Sequence, residues 1–237
     1  MTNNITLVLT SCNRQNELKI TLKSFFKFNT YPIKKIIIID DSGKKECIDE
    51  AIKEIPVSIE KKIIYNDKNI GQIKSIDKAY SMVDTEYIFH CEDDWEFYDY
   101  GFIEKSLKIL NKNKNIYCVW LRPYKNFRVL KNGHPVVPKI YDNYRLLGVF
   151  KERSNIWSGF TFNPGLRRIC DSKLLLPYEQ YIGSKECNVG GVEQALSNLY
   201  FNKGFLAAIT LNENGYVKHI GINNSTQNSN MLKKLTT

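Results

Sequence analysis

Apolar positions in the first hundred residues come in short runs whose spacing alternates between two periods. Ile5 to Leu9 is apolar and β-branched in the manner of a buried strand. A polar turn, Thr10 to Arg14, follows it, and then Leu18, Thr21, Leu22, Phe25 and Phe26 recur at helical spacing until Tyr31 and Pro32 close the segment. Lys35 to Ile39 is apolar without alternation, as a parallel strand covered on both faces should be. Residues 44–55 then predict a helix, 62–65 a third strand and 66–71 a turn. A helix over 73–83 turns Ile73, Ile76, Ala79, Tyr80 and Val83 inward, and Tyr87, Ile88 and Phe89 begin a fourth strand. Strands alternating with helices in this way call for an α/β fold, a mainly parallel sheet made of right-handed crossovers and flanked by helices.

The pattern loosens afterwards. Residues 102–110 predict an amphipathic helix and 116–121 a strand, but 122–156 mixes prolines and aromatics and implies only a hairpin or a long excursion. Residues 155–164 look strand-like around a central glycine, 167–174 helical, and 190–202 helical up to Gly204. A strand over 205–211 and a short segment, 216–220, come last, before an Asn-, Ser- and Thr-rich tail from 222 to 237. No internal repeat and no linker interrupts residues 1–221, so a single domain is expected, with 1–100 and 101–221 as its two halves.

Composition changes this picture little. The chain has 237 residues, 43% hydrophobic and 25% charged, as an ordinary globular protein does. No apolar run approaches the ~20 residues of a membrane span, and the first residues lack the features of a secretory signal. The expectation is a cytoplasmic protein. The six cysteines show no C-x-x-C pair or zinc spacing and read as thiols. A net charge of +9 favours an anionic partner. Because the lysines are dispersed rather than gathered in a stripe, nucleic acid is not expected; an anionic membrane surface touched peripherally stays open, as does the oligomeric state.

The candidate chemistry lies at the strand ends. The fourth strand runs into Glu92, Asp93 and Asp94. Adjacent carboxylates repel each other, and three at the carboxyl end of a parallel strand suit a hard cation, Mn²⁺ or Mg²⁺, which takes oxygen ligands and leaves positions for phosphates. The second strand also ends in acids, Asp40 and Asp41, on the same rim, where open α/β sheets bind ligands.

These motifs together resemble the family 2-like GT-A glycosyltransferases, over about residues 5–221 and most specifically over the first hundred. The resemblance implies a GT-A, Rossmann-like sheet with an irregular acceptor-side second half, and a metal-dependent, inverting transfer of a sugar from a nucleotide diphosphate, UDP above all, to an acceptor hydroxyl in glycan or surface-polysaccharide assembly. Thr6 to Arg14 is similar to the family's opening strand and turn, which places Thr10, Cys12 and Arg14 along the nucleotide. Asp41 would meet the base, and Asn69 and Gly71, in an Asn-x-Gly turn, would line it. In the acid triplet, Asp94 would be the main metal ligand, Asp93 would approach the ribose or the metal, and Glu92 would support the metal from behind. The first of these is Glu where the family more often has Asp. Glu193, followed by Leu196 and by Gly204 and Phe205, is similar to the family's catalytic-base helix, although that base is normally Asp. A carboxylate there would take the proton of the attacking hydroxyl; the competing reading is a charge that favours a helix N-terminus. His219 is similar to a late histidine that some GT-A enzymes add to the metal site. Trp157, Ser158 and Gly159 would wall the acceptor, which could be a glycan, a lipid-linked sugar or a protein.

Two other readings differ in what they require. A nucleotidyltransferase would need a glycine-rich basic loop after the first strand, and Thr10 to Arg14 contains no glycine. A non-catalytic GT-A-like protein that binds a sugar or a partner remains compatible with Glu at both 92 and 193.

Overall fold

The structure, a computed structural model, describes residues 4–123, 130–131, 134–135, 140–147, 150–152, 155–157, 159–184 and 191–221. The Rossmann-like first half forms as the alternation predicts. Strands β1 (Ile5–Ser11), β2 (Lys35–Asp40), β3 (Glu60–Tyr65) and β4 (Tyr87–Glu92) alternate with helices α1 (Gln15–Phe28), α2 (Asp49–Ile52) and α3 (Gln72–Tyr80). All four strands pair in parallel. Helix α2 spans one turn where residues 44–55 predict three; Ile48, Ala51 and Ile55 are its buried contacts, and the rest of the segment winds as turns.

After β4 the chain turns through β5 (Trp95–Phe97), α4 (Phe102–Lys112) and β6 (Ile116–Trp120). Short pieces follow: β7 (Leu130–Lys131), β8 (His134–Pro135), β9 (Tyr144–Leu146), β10 (Phe150–Glu152) and β11 (Asn155–Trp157). Then come β12 (Gly165–Arg168), α5 (Ile169–Lys173), a 3₁₀ turn (Tyr178–Tyr181), α6 (Gly191–Asn202), β13 (Leu206–Thr210) and β14 (Val217–His219). The central sheet has eight strands in the order β3-β2-β1-β4-β12-β6-β13-β9. Within it β12 runs antiparallel to both β4 and β6, β13 is parallel to β6, and β9 is antiparallel to β13.

Alternation along each buried strand divides the core in two. Leu7, Leu9, Ile36, Ile38 and Phe89 face α1 and α4, where Phe25, Phe97 and Phe102 join Phe89 in a cluster of rings with centroids 5.0–6.1 Å apart. Val8, Ile37, Ile39 and Ile88 face α3 and α6 across Tyr80, Tyr117, Tyr178 and Tyr200. At the sheet's edge, β3 carries Glu60, Lys61 and Lys62 exposed, charges that discourage pairing with another chain.

One strand is not where the hydrophobic pattern puts it. The strand-like pattern over 155–164 belongs in part to β11, which pairs with β10 outside the main sheet. The segment that enters the sheet is Gly165–Arg168, of which residues 167 and 168 look like the start of a helix. Gly165 is required there, because a Cβ would lie 2.7 Å from the Val119 carbonyl oxygen. Arg168 is buried and saturated: Nε donates to Asp171 at 2.7 Å, Nη1 to the Leu110 carbonyl at 2.7 Å, and Nη2 to those of Lys114 and Ile116 at 2.9 and 2.5 Å. It thus binds carbonyls at the C-terminal end of α4, where a cation is favoured. Arg168→Met should leave Asp171 charged and unpaired and lower stability by about 3–5 kcal/mol. Chemical denaturation would measure this, and a loss below about 1 kcal/mol would refute the assigned role.

Candidate functional site

The acids gather where the parallel strands end. Thr10 in β1 is in register with both Ile39 of β2 and Glu92 of β4, so the turns after the three strands open on the same rim. The turn that carries Asp93 and Asp94 is held from below by two hydroxyls of α1. Thr21 Oγ1 donates to the Asp93 carbonyl at 2.7 Å and accepts from Trp95 N at 3.1 Å, while Ser24 Oγ accepts from Phe97 N at 3.0 Å. Neither α1 hydroxyl is among the residues singled out by motif. A polar Thr on an otherwise apolar helix face is the signal that could have found the first.

From above, the C-terminal segment straps the same turn. Strand β14 pairs antiparallel with β5, His219 opposite Trp95, and Ile220 N donates to the Asp94 carbonyl at 2.9 Å. This pairing carries His219 Nε2 to 3.1 Å from Asp94 Oδ2 and sets its ring against Trp95, centroids 4.9 Å apart and planes tilted by 50°. Gly221 lies so close that a Cβ would stand 2.1 Å from Asp94 Oδ2, so the strap tolerates no side chain there.

Arg14 closes the cluster. Its Nη1 lies 2.5 Å from Asp94 Oδ2 and 3.3 Å from Asp93 Oδ1. Cys12 N donates to Asp93 Oδ2 at 3.2 Å. Burial pushes the Asp93 carboxyl up to about 6, with Arg14 opposing the shift and Asp94 adding to it. Glu92 is engaged differently: its two oxygens accept from Gln72 Nε2 at 2.6 Å and from the Trp95 indole at 3.2 Å. Part of the residue still reaches solvent, yet burial of the carboxyl, then Asp94, pushes it up to about 8, and Glu193 contributes in the same sense.

The raised Glu92 carboxyl has a consequence for stability. Its folded-state value lies above the ordinary 4.5, so between these values the folded chain holds a proton that the unfolded chain has released. Stability therefore falls as pH rises from the ordinary carboxylate range through about 8. In EDTA, the melting midpoint of the wild type should fall more steeply between about pH 5 and 8 than that of Glu92→Gln. Parallel curves would show that Glu92 is not the group responsible.

Glu193, in the first turn of α6, is in the same neighbourhood, close enough for its charge to act on Glu92. One oxygen, Oε1, accepts from Phe162 N at 2.6 Å and from Thr161 Oγ1 at 3.1 Å. Arg167 Nη2, at 3.0 Å, in turn holds the Thr161 carbonyl. Thr161 and Phe162 bear no motif, and only the fold reveals them.

On the nucleotide side, Asp41 is buried with both oxygens taken. Oδ1 accepts from Asn66 Nδ2 at 2.8 Å and Ile70 N at 2.9 Å, and Oδ2 from Gly71 N at 2.8 Å. The carboxylate thus shapes the 66–71 loop. Gly71 adopts φ +93, a conformation open to glycine, and Asn69 Nδ2 reaches Cys12 Sγ at 3.5 Å. Gly159 is buried under β6, its carbonyl accepting from the Trp120 indole at 2.7 Å. A Cβ on it would press to 2.8 Å against Ala207, so Gly159 is committed to packing. Ser158, the side chain of Trp157 and the 222–237 tail lie outside the described residues.

Arg14 pairs with both Asp93 and Asp94, and His219 reaches Asp94, so carboxylate and imidazole donors of the kinds a divalent cation accepts lie near one another here, with Asp94 Oδ2 engaged by the guanidinium. Among the described residues no three such donors yet converge on a single position. No helix of the described residues is long and apolar enough to cross a membrane.

A sequence model described as glycosyl transferase family 2 matches residues 6–175. No curated protein matches the sequence. In fold the chain is similar to S. aureus TarS 1-349, with a TM-score of 0.57 at 14% identity over 90% of this chain and 59% of that one. The TarS 1-349 complex with UDP-GlcNAc aligns at a TM-score of 0.55 and 12% identity, over 92% of this chain and 61% of that one. The chain thus spans about three fifths of the length of these structures. The shared architecture is the GT-A one, a large, mostly parallel sheet flanked by helices.

Proposed function

The chain belongs to glycosyl transferase family 2, and from that premise we propose that it is an inverting, metal-dependent transferase that moves a sugar from a uridine diphosphate donor to an acceptor hydroxyl. The observation that carries the reading is the meeting of Arg14, Asp93, Asp94 and His219 at the strand rim, with Glu193 close enough for its charge to act on Glu92. The uridine diphosphate draws on the fold's likeness to TarS, whose structures hold UDP and UDP-GlcNAc.

In this reading the 66–71 loop, shaped by Asp41, and the β1 turn with Thr10 and Cys12 bind the nucleoside. Glu193 accepts the proton of the acceptor hydroxyl while that oxygen bonds to the anomeric carbon. The bond from carbon to the diphosphate oxygen breaks on the opposite side, and the nucleoside diphosphate leaves with the electron pair. Asp94, with Asp93 and His219, would hold a divalent cation, Mn²⁺ or Mg²⁺, which supplies positive charge against the leaving diphosphate. Arg14, a fixed cation beside the same acids, serves the same electrostatic end from the protein side. The Thr161 hydroxyl and the Phe162 amide keep the carboxylate of Glu193 aimed by binding one of its oxygens.

Thermal melting against UDP, GDP and their sugar conjugates, with Mn²⁺ or with EDTA, tests this. A ligand that binds the native state raises the midpoint with the logarithm of its concentration over Kd. A rise with a uridine nucleotide that EDTA removes is expected. No rise with any nucleotide would sink the reading and favour a GT-A-like protein that binds a sugar or partner without catalysis.

A further inference from the structure

Two arginines stand side by side in β12 and point to opposite faces of the sheet, both buried, at 3% and 5% exposure. Arg168 has four acceptors, one of them a carboxylate. Arg167 Nη2 donates to one carbonyl among the described residues, that of Thr161 at 3.0 Å. Its Nε and Nη1 reach no carbonyl or carboxylate among the described residues, and the Tyr80 hydroxyl is the polar group beside the guanidinium. The Tyr80 hydroxyl is buried with no hydrogen-bond partner beyond that guanidinium, and both ring nitrogens of His90 are buried without partners, among the described residues.

The surroundings are aromatic. The guanidinium sits 5.8 Å from the Phe160 ring, and Tyr80, Tyr178, Tyr200 and Cys118 are the groups that act on its charge. None of these can carry the missing negative charge. Burial raises the Tyr80 and Tyr178 phenols and pushes the Cys118 thiol up to about 12. Burial and the nearby guanidinium hold His90 well below its usual range, so the imidazole is neutral. A guanidinium does not give up its proton inside a protein, and a buried charge without a counter-charge is strongly destabilising. Water can satisfy N–H groups but brings no charge.

We propose that this buried cluster is a site for a small monovalent anion, chloride in class, held by Nε and Nη1 of Arg167 with the Tyr80 hydroxyl as a further donor. The few donors and the aromatic walls suit a monatomic ion better than a phosphate or sulfate, whose oxygens would require more partners. The site lies behind Glu193, since Arg167 also holds the Thr161 carbonyl and Thr161 holds Glu193. That link to catalysis rests on the function proposed above; the anion site does not.

The test compares melting of the full chain in sodium gluconate, chloride and bromide at constant ionic strength, for the wild type and for Arg167→Met. The wild-type midpoint should rise by about 5–10 °C when halide reaches a hundredfold excess over Kd, and Arg167→Met should lose that halide dependence while keeping any general salt effect. Crystals soaked in bromide should show an anomalous peak beside Arg167 Nε. Equal halide responses in both proteins, or a wild-type crystal with water or a protein carboxylate in place of bromide, would overturn the proposal. The bromide experiment on the wild type decides the matter even if the variant does not fold.

Discussion

Glu193→Gln should lower kcat for sugar transfer by about 10²–10⁴-fold, the range for loss of a general base, while leaving nucleotide binding intact. The substitution preserves shape. An amide oxygen can still accept from Phe162 N and Thr161 Oγ1, which now bind Oε1 at 2.6 and 3.1 Å. What disappears is the ability to take a proton from the acceptor. In the proposed reading other residues would bind the donor, so the midpoint shift produced by UDP with Mn²⁺ should match the wild type. A fall in kcat at unchanged donor KM is the signature of a group that acts in the transition state alone. If transfer continued at the wild-type rate, the base would have to be sought elsewhere on the rim.

Asp94→Asn should act on binding and chemistry together. Asp94 Oδ2 is the point shared by Arg14, at 2.5 Å, and His219, at 3.1 Å. An amide keeps the shape and removes the charge that would anchor a cation. Transfer should fall by about 10²–10³-fold, the scale seen when one element of transition-state electrostatics is lost, and the midpoint shift with UDP and Mn²⁺ should shrink or vanish. Folding stability without ligand should change far less, because two effects oppose each other. Arg14 loses its ion pair with Asp94 and keeps the longer one with Asp93, at 3.3 Å, but Glu92 and Asp93 lose the charge that raises their carboxyls. Near-normal melting with lost ligand response marks a residue selected for function rather than stability. A variant that melts far below the wild type would instead make Asp94 a structural anchor of the β5–β14 strap.

Much of this was legible in the residues. The apolar runs of β1, β2 and β4 have no polar alternation because each is covered on both faces, and that local pattern specifies a parallel sheet. The acids after β2 and β4 had to share a rim because parallel strands point the same way. Other parts were hidden for physical reasons. Residues 167 and 168 look like the start of a helix in the sequence, yet they lie buried in β12, and only the fold shows the carbonyls and carboxylate that Arg168 binds there. Asp41 resembled a residue presented to a ligand, yet its oxygens are filled by the Asn66–Gly71 loop, whose amides happen to converge on it.

By itself, then, the sequence determined the α/β architecture of the first half, the rim on which the acids stand, and the residue types available for a cation, a base and a nucleotide. Each depends on neighbours a few positions apart, where periodicity and charge repulsion suffice. The resemblance assigned His219 and Glu193 to the site, but tertiary structure decided the contacts. His219 meets Asp94, 125 positions away, Glu193 comes close enough for its charge to act on Glu92 with Thr161 and Phe162 on its oxygen, and Arg14 bridges Asp93 and Asp94. Those contacts follow from β14 pairing with β5 and β12 entering between β4 and β6. Such pairings between distant segments are chosen by the packing of the whole core, and no local pattern encodes them.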